Sequence, residues 1–122
     1  LIDSGILKKL KINKIKLHIR SIFLQGLLLK EIKDLPKKFL KNKDLNNFKN
    51  LILKNNLTNL QACLSALENI DYEKIVIGVN NVEQLKEIVN CKNNILLKKI
   101  DLNIKSKNII DPRKWSKFRT IK

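Results

Sequence analysis

Residues 74–89 constrain the fold of this chain more than any other stretch. Residues 74–79, KIVIGV, form a short and nearly apolar run rich in β-branched side chains, which predicts a buried β-strand. Two asparagines follow, and residues 82–89 then space their apolar side chains as an amphipathic helix does. A helix start offers unpaired backbone N–H groups and a partial positive charge, and Gly78 lets a ligand approach the backbone closely. This stretch therefore predicts an anion site at a helix N-terminus.

The other segments predict one more strand and several helices. Residues 15–23 alternate apolar and polar side chains at first and become wholly apolar, as a strand does. Helical spacing of apolar side chains predicts helices at residues 3–13, 35–41, 44–55, 58–69 and 95–102. Thr58 is the expected N-cap of its helix, and residues 109–115 are expected to dock as a tail through Trp115.

Alternation of strands and helices predicts a parallel sheet joined by right-handed crossovers. Two strands alone would leave both sheet edges open and a face uncovered. We therefore expect an α/β chain that is a piece of a larger fold or that recruits strands from another chain. The chain begins with Leu1 rather than Met, which predicts further residues upstream.

Composition favours one small domain with a solvated, basic surface. The 122 residues are 43% hydrophobic, which is enough for a core. The net charge of +15 comes almost entirely from scattered lysines, arginine occurs only at Arg20, Arg113 and Arg119, and 5% of residues are aromatic. Base readout and single-strand binding favour arginine forks and exposed aromatics, so this pattern argues against nucleic acid as the partner. A small Lys-rich module that binds nucleic acid or another acidic partner stays the alternative function.

The sequence also predicts where the chain resides. It shows no charged leader with an apolar stretch behind it, and no run approaches the roughly 20 apolar residues of a membrane span. Cys63 and Cys91 form no CxxC pair and no cluster with His18, so we expect reduced thiols and no metal site. These features predict a cytoplasmic protein with no membrane partner.

Two segments carry a resemblance to a known family. Residues 20–28 read RSIFLQGLL, similar to the tyrosine-serine-proline-leucine-glycine-x-glycine segment that ends the seventh barrel strand of bacterial aldo-keto reductases. Residues 77–85 read IGVNNVEQL and resemble that family's proline-glycine-x-x-asparagine-x-glutamate-glutamine-leucine segment after the eighth strand. The helices between them and the Asp-Pro-Arg-Lys-Trp ending at residues 111–115 also fit. The resemblance covers most of the chain.

This resemblance implies a fold for the whole chain. Residues 1–122 would be the C-terminal portion of a (β/α)₈ TIM barrel, with the last two strands, their helices and a C-terminal tail at residues 92–122. A complete barrel needs roughly 250 residues, and its loops after strands 7 and 8 frequently bind phosphate. The implied function is NAD(P)-dependent reduction of a small aldehyde or ketone, with the remainder of the barrel upstream.

The resemblance also implies a cofactor site for NADP(H). Ser21 would hydrogen-bond phosphate or ribose oxygens, Phe23 and Gln25 would line the loop, and Gly26 would let it fold over the pyrophosphate. At the adenosine end, the implied contacts are Gly78, Asn80, Asn81 and Gln84.

The sequence departs from the family pattern in ways that bear on the cofactor. Ile77 stands where the family has proline, and Ile88 stands where it has an adenine-contacting asparagine. No lysine or arginine falls within residues 80–84, where a 2'-phosphate would favour one, and Lys86 is the nearest. NAD(H) is therefore an expected cofactor beside NADP(H).

The resemblance implies no catalytic residue within this chain. The family's catalytic tyrosine, lysine, aspartate and histidine would lie upstream of Leu1, whereas hydride transfer needs an acid within reach of the substrate carbonyl. We expect His18 to be structural, and nothing pairs Tyr72 with a lysine in a pocket. A truncated gene product without activity is a further alternative.

Overall fold

The computed structural model describes residues 5–94 and 104–118. The helices and strands, in chain order, are α1 (Ile6–Ile12), β1 (His18–Arg20), α2 (Lys37–Leu40), α3 (Lys43–Lys54), α4 (Asn59–Ser65), β2 (Lys74–Val76), α5 (Val82–Asn94) and α6 (Lys107–Ile110). Short 3₁₀ segments cover Leu27–Leu29, Ile32–Asp34, Ala66–Asn69 and Pro112–Phe118. Every predicted helix within the described residues is present, and the helix predicted at residues 95–102 lies outside them.

Side-chain caps fix where the two central helices begin. The Asn42 Oδ1 atom accepts a hydrogen bond from the Leu45 backbone N–H at 3.0 Å, which starts α3. At α4, the Gln61 N–H donates to the Thr58 hydroxyl at 3.1 Å, and the Thr58 N–H donates back to Gln61 Oε1 at 2.7 Å. This reciprocal capping box satisfies two donors that a helix start leaves unpaired, and it confirms Thr58 as the N-cap.

β1 and β2 pair in parallel, as predicted, with Ile19 opposite Ile75. Both strands are shorter than the patterns indicated, since each has only three residues. Ser21 adopts a left-handed φ of 60°, which ends β1. The apolar residues that follow it therefore turn away from the sheet, and the prediction of a strand through residue 23 is wrong in extent.

One face of this sheet is covered and the other is open. Ile19 and Ile75 are half-buried against the helices. On the opposite face, His18, Arg20 and Lys74 are exposed, and Val76 keeps 57% of its surface. The prediction that residues 74–79 form a buried strand is therefore wrong, because helices cover only one side of the sheet among the described residues.

The core divides into two clusters on either side of α4. The larger cluster takes Ala62 and Cys63 from α4, and its buried members are Leu27, Leu28, Leu35, Phe39, Leu45, Phe48, Ile52, Ala62, Cys63 and Ile109. The second cluster is built on Leu60, Leu64 and Leu67, against which the sheet and α5 pack. Phe23 contacts both clusters, so the loop after β1 is anchored at the junction between them.

Residues 104–118 dock on the larger cluster, as predicted for the tail. Ile109 is 1% exposed, and the Trp115 ring meets the Phe39 ring edge-on at a centroid distance of 5.3 Å. The Asp44 carboxylate accepts the backbone N–H groups of Lys105 and Ser106 at 2.8 and 2.6 Å. Apolar burial and charged hydrogen bonds thus hold this segment against α2 and α3.

Both cysteines are free thiols, as expected. Burial raises the pKa of Cys63 to about 12, and the nearby Lys49 ammonium lowers it in part. In residues 5–94 and 104–118, every helix falls short of the combined length and apolarity that a membrane span requires.

Candidate functional site

A cleft of about 760 Å³ opens where β1 and β2 end. Its lining is drawn from residues 20–31 after β1, residues 58–60 at the start of α4, residues 76–80 after β2, and residues 84–88 on α5. We call this the strand-end cleft. Ligands of parallel α/β folds bind in the crevice outside the carboxyl ends of the strands, which is where this cleft lies.

The structure brings almost all of the predicted site residues to this one cleft. Those that line it are Ser21, Phe23, Gln25, Gly26, Gly78, Asn80 and Gln84. Asn81 does not belong to the lining, because its side chain caps α5. The two segments that carry the family resemblance thus line a single cavity.

Asn80, Asn81 and Gln84 set the start of α5. The Gln84 N–H donates to Asn81 Oδ1 at 2.9 Å, and the Asn80 N–H donates to Gln84 Oε1 at 2.9 Å. These two side-chain oxygens are therefore occupied by the helix start. The first backbone N–H groups of α5 have no partner within the helix, as at any helix start, and Gln84 is the residue of this first turn that lines the cleft.

The loop after β1 has an unusual backbone. Ser21, Leu24, Gln25 and Gly26 all have positive φ angles, of 60°, 46°, 54° and 81°. Left-handed non-glycine residues cost about 1–2 kcal/mol each, and such strain clusters at ligand sites. Within the described part of the chain, the N–H groups of Gln25 and Gly26 donate to no acceptor. Consecutive free N–H groups in a left-handed turn form a concave surface suited to an anion.

A buried lysine fixes the next wall of the cleft. Lys49 is 4% exposed, and its Nζ atom donates to the carbonyls of Leu28 and Lys30 at 3.1 and 2.5 Å and to Asn59 Oδ1 at 2.5 Å. Asn59 in turn donates through Nδ2 to the Glu31 carboxylate at 2.8 Å. Burial lowers the pKa of Lys49, and the negative charge of Glu31 raises it in part. This network holds residues 28–31 rigidly against α3 and α4.

Three charged side chains line the strand-end cleft, and the sequence reasoning assigned none of them to the site. They are Arg20, Glu31 and Glu87. Arg20 forms no hydrogen bond or ion pair with any residue in 5–94 or 104–118. Its position directly before Ser21 was a usable signal, as was that of Glu87 three residues after Gln84 on one helix face. Glu31 gave no sequence signal, because its place depends on the distant Asn59.

Histidine and tyrosine lie outside the strand-end cleft. His18 Nε2 lies 2.9 Å from Glu73 Oε2, and Lys16 donates to Glu73 Oε1 at 2.7 Å. The hydrogen bonds from Lys16 and then His18 lower the pKa of Glu73. Tyr72 packs on the second core cluster. Among the described residues, the lining of the cleft includes no tyrosine, histidine, lysine or aspartate, and its carboxylic acids are Glu31 and Glu87.

The chain matches no protein-family model, no curated protein and no solved structure. The link to aldo-keto reductases therefore rests on residues 20–28 and 77–85 and on the ending at residues 111–115. The strand-end cleft is the feature of the structure that bears most directly on function.

Proposed function

We propose that the strand-end cleft binds a nicotinamide dinucleotide, NAD(P)(H), and that this chain is the cofactor-holding part of an aldo-keto reductase. One observation carries the proposal. Residues 20–26 and 78–84 are far apart in sequence, resemble the two cofactor segments of that family, and line one cleft at the ends of adjacent parallel strands. Loops at the carboxyl ends of parallel strands are where α/β folds bind their ligands, and helix starts there favour phosphate groups.

The β1 side of the cleft has the chemistry that a pyrophosphate requires. The Arg20 guanidinium is unpaired among the described residues and presents a planar fork of donors that suits phosphate oxygens. The Ser21 hydroxyl and the free N–H groups of Gln25 and Gly26 add neutral donors. Gln84, in the first turn of α5, lines the same cleft, and the partial positive charge of a helix start favours the same ligand.

The size and apolar lining of the cleft also suit a dinucleotide. A volume of about 760 Å³ falls within the range of cofactor and drug-sized sites, roughly 300–1,000 Å³. Phe23, Val79 and Ile88 give apolar surface on which a base or a nicotinamide ring can pack.

Unpartnered apolar surface supports the barrel part of the proposal. Val82, Leu85 and Val89 follow one another at helical spacing along α5 and are 59%, 49% and 47% exposed. Val76 on the open face of the sheet is exposed as well. Both outer edges of the two described strands lack a partner in residues 5–94 and 104–118. Further barrel strands and helices would cover these surfaces and would supply the acid that delivers a proton to a small aldehyde or ketone.

Titration of the 122-residue chain with NADH and NADPH, followed by nicotinamide fluorescence and by calorimetry, tests the proposal. We expect saturable binding with one site per chain. Adenosine serves as the control ligand, and it should bind at least about tenfold more weakly because it lacks the pyrophosphate.

Absence of saturable binding by either dinucleotide would contradict the proposal. If the same protein then bound DNA with a steep dependence on salt, the Lys-rich binding module would be the better account.

A further inference from the structure

Charge is distributed unevenly around the strand-end cleft. Its one cationic side chain among the described residues is Arg20, the last residue of β1, on the side that we assign to the pyrophosphate. The α5 side carries Glu87 instead. Lys86 is its neighbour on the helix but does not line the cleft. The α5 side of the cleft thus carries a negative side chain and no positive one among the described residues.

Glu87 belongs to the part of the cleft assigned to the adenosine. It follows Gln84 by three residues on α5, and both side chains line the cleft, so they are neighbours on one helix face. Gln84 in turn bonds the Asn80 N–H, which ties this face to the loop after β2. A carboxylate therefore lies about one helical turn from Gln84, in the part of the cleft where a 2'-phosphate would need a cation.

Glu87 has no ion-pair partner among the described residues. Glu31, the other acidic side chain of the lining, accepts a hydrogen bond from Asn59 and lies near the Lys49 ammonium. Glu87 forms no ion pair or hydrogen bond with residues 5–94 or 104–118. The negative charge of Glu87 acts on Cys91, whose pKa is raised first by burial of the thiol and then by Glu87.

We infer that the strand-end cleft selects NAD(H) over NADP(H), and that Glu87 is the residue that sets this preference. The inference rests on the proposed function, since it specifies which dinucleotide the same site takes. A carboxylate accepts hydrogen bonds from the free 2'- and 3'-hydroxyls of the adenosine ribose, as acidic residues do in other NAD sites. A 2'-phosphate removes that donor and adds negative charge next to a carboxylate, which disfavours NADP(H).

Dissociation constants for NADH and NADPH, measured by calorimetry on the wild-type protein and on Glu87→Lys, test this inference. We expect wild type to bind NADH at least about tenfold more tightly than NADPH, which corresponds to ~1.4 kcal/mol of unfavourable charge interaction. Glu87→Lys should shift the ratio of the two constants toward NADPH by about tenfold or more. Glu87→Gln, which alters the structure least, should shift it in the same direction by a smaller factor.

Glu83→Lys is the matched control, because it makes the same charge change on the first turn of α5 outside the cleft lining. It should leave the ratio within about twofold of wild type, since screening weakens exposed charges at a distance. Tighter binding of NADPH than NADH by wild type, or an unchanged ratio in both Glu87 variants, would overturn the inference and leave the proposed function standing. Binding of neither dinucleotide would overturn both.

Discussion

Replacing Phe48 with alanine is expected to lower the free energy of unfolding by about 3–5 kcal/mol. Phe48 is 3% exposed and belongs to the larger core cluster, which also includes buried residues of α3 and α4 and Leu27 and Leu28. The truncation removes a whole ring from water-free surroundings and leaves a cavity that the helices fill only in part. Because small domains have only about 5–15 kcal/mol of stability, this is a large share of the total.

Urea denaturation of the 122-residue chain, followed by circular dichroism, measures this loss. Leu53→Ala is the control on the same helix, because Leu53 is 71% exposed, and it should change stability by less than about 0.5 kcal/mol. Phe48→Leu keeps most of the apolar volume and should cost roughly 1 kcal/mol. Equal effects of Phe48→Ala and Leu53→Ala would show that α3 does not bury the face described above.

Arg20→Ala is expected to weaken dinucleotide binding by about 10- to 100-fold. A hydrogen bond to a charged group contributes about 1.5–3 kcal/mol, and Arg20 is the one cation among the described residues that line the strand-end cleft. Arg20 is exposed, so removal of its side chain leaves no cavity. The melting temperature of the unliganded variant should therefore stay close to that of wild type.

Calorimetric titration with NADH measures the change in affinity. Arg113→Ala removes the same side chain from the tail, where the guanidinium bonds the Asp111 carboxylate at 2.8 Å, and it should not alter the dissociation constant. Arg20→Lys should restore part of the affinity, since it keeps the charge but loses the fork of donors. Equal affinity of wild type and Arg20→Ala would remove Arg20 from the site.

The helices were predictable because their signals are local. The apolar spacing in α3 and α4 and the caps at Asn42 and Thr58 lie within a few residues of what they determine. The start of α5 is also set by neighbouring residues, since Asn81 and Gln84 cap it. In these segments local preference and tertiary packing agree.

The strands were less predictable because their ends depend on distant contacts. Ile22 and Phe23 continue the apolar pattern of β1, yet the left-handed Ser21 sends them into the core instead of the sheet. Likewise, the β-branched run around Val76 indicated burial, but only one face of the sheet is covered in the described residues. A pattern of apolar residues does not state which partner buries them.

The resemblance predicted the loops of the candidate site but not its charged side chains. Residues 21–26 and 78–84 resemble the family segments, and the structure brings most of the side chains named from them to one cleft. Arg20 is the first residue of one of these segments but was given no role by the resemblance. Glu87 lies outside both segments, and Glu31 is bound in the cleft by Asn59. The charged side chains of a cleft come from segments that are distant in sequence, so a local sequence pattern does not predict which of them lie together.

A titration of the ¹⁵N-labelled 122-residue chain with NADH, followed by amide NMR spectra, tests most directly whether the strand-end cleft holds the cofactor. Binding in the strand-end cleft should move the amide signals of Ser21, Gln25, Gly26, Gly78 and Asn80 together and to one common dissociation constant. Signals from α1 and from Tyr72, outside the cleft, should stay in place. Shifts confined to α1 and its neighbours, or an unchanged spectrum at saturating NADH, would contradict the claim that this cleft holds the cofactor.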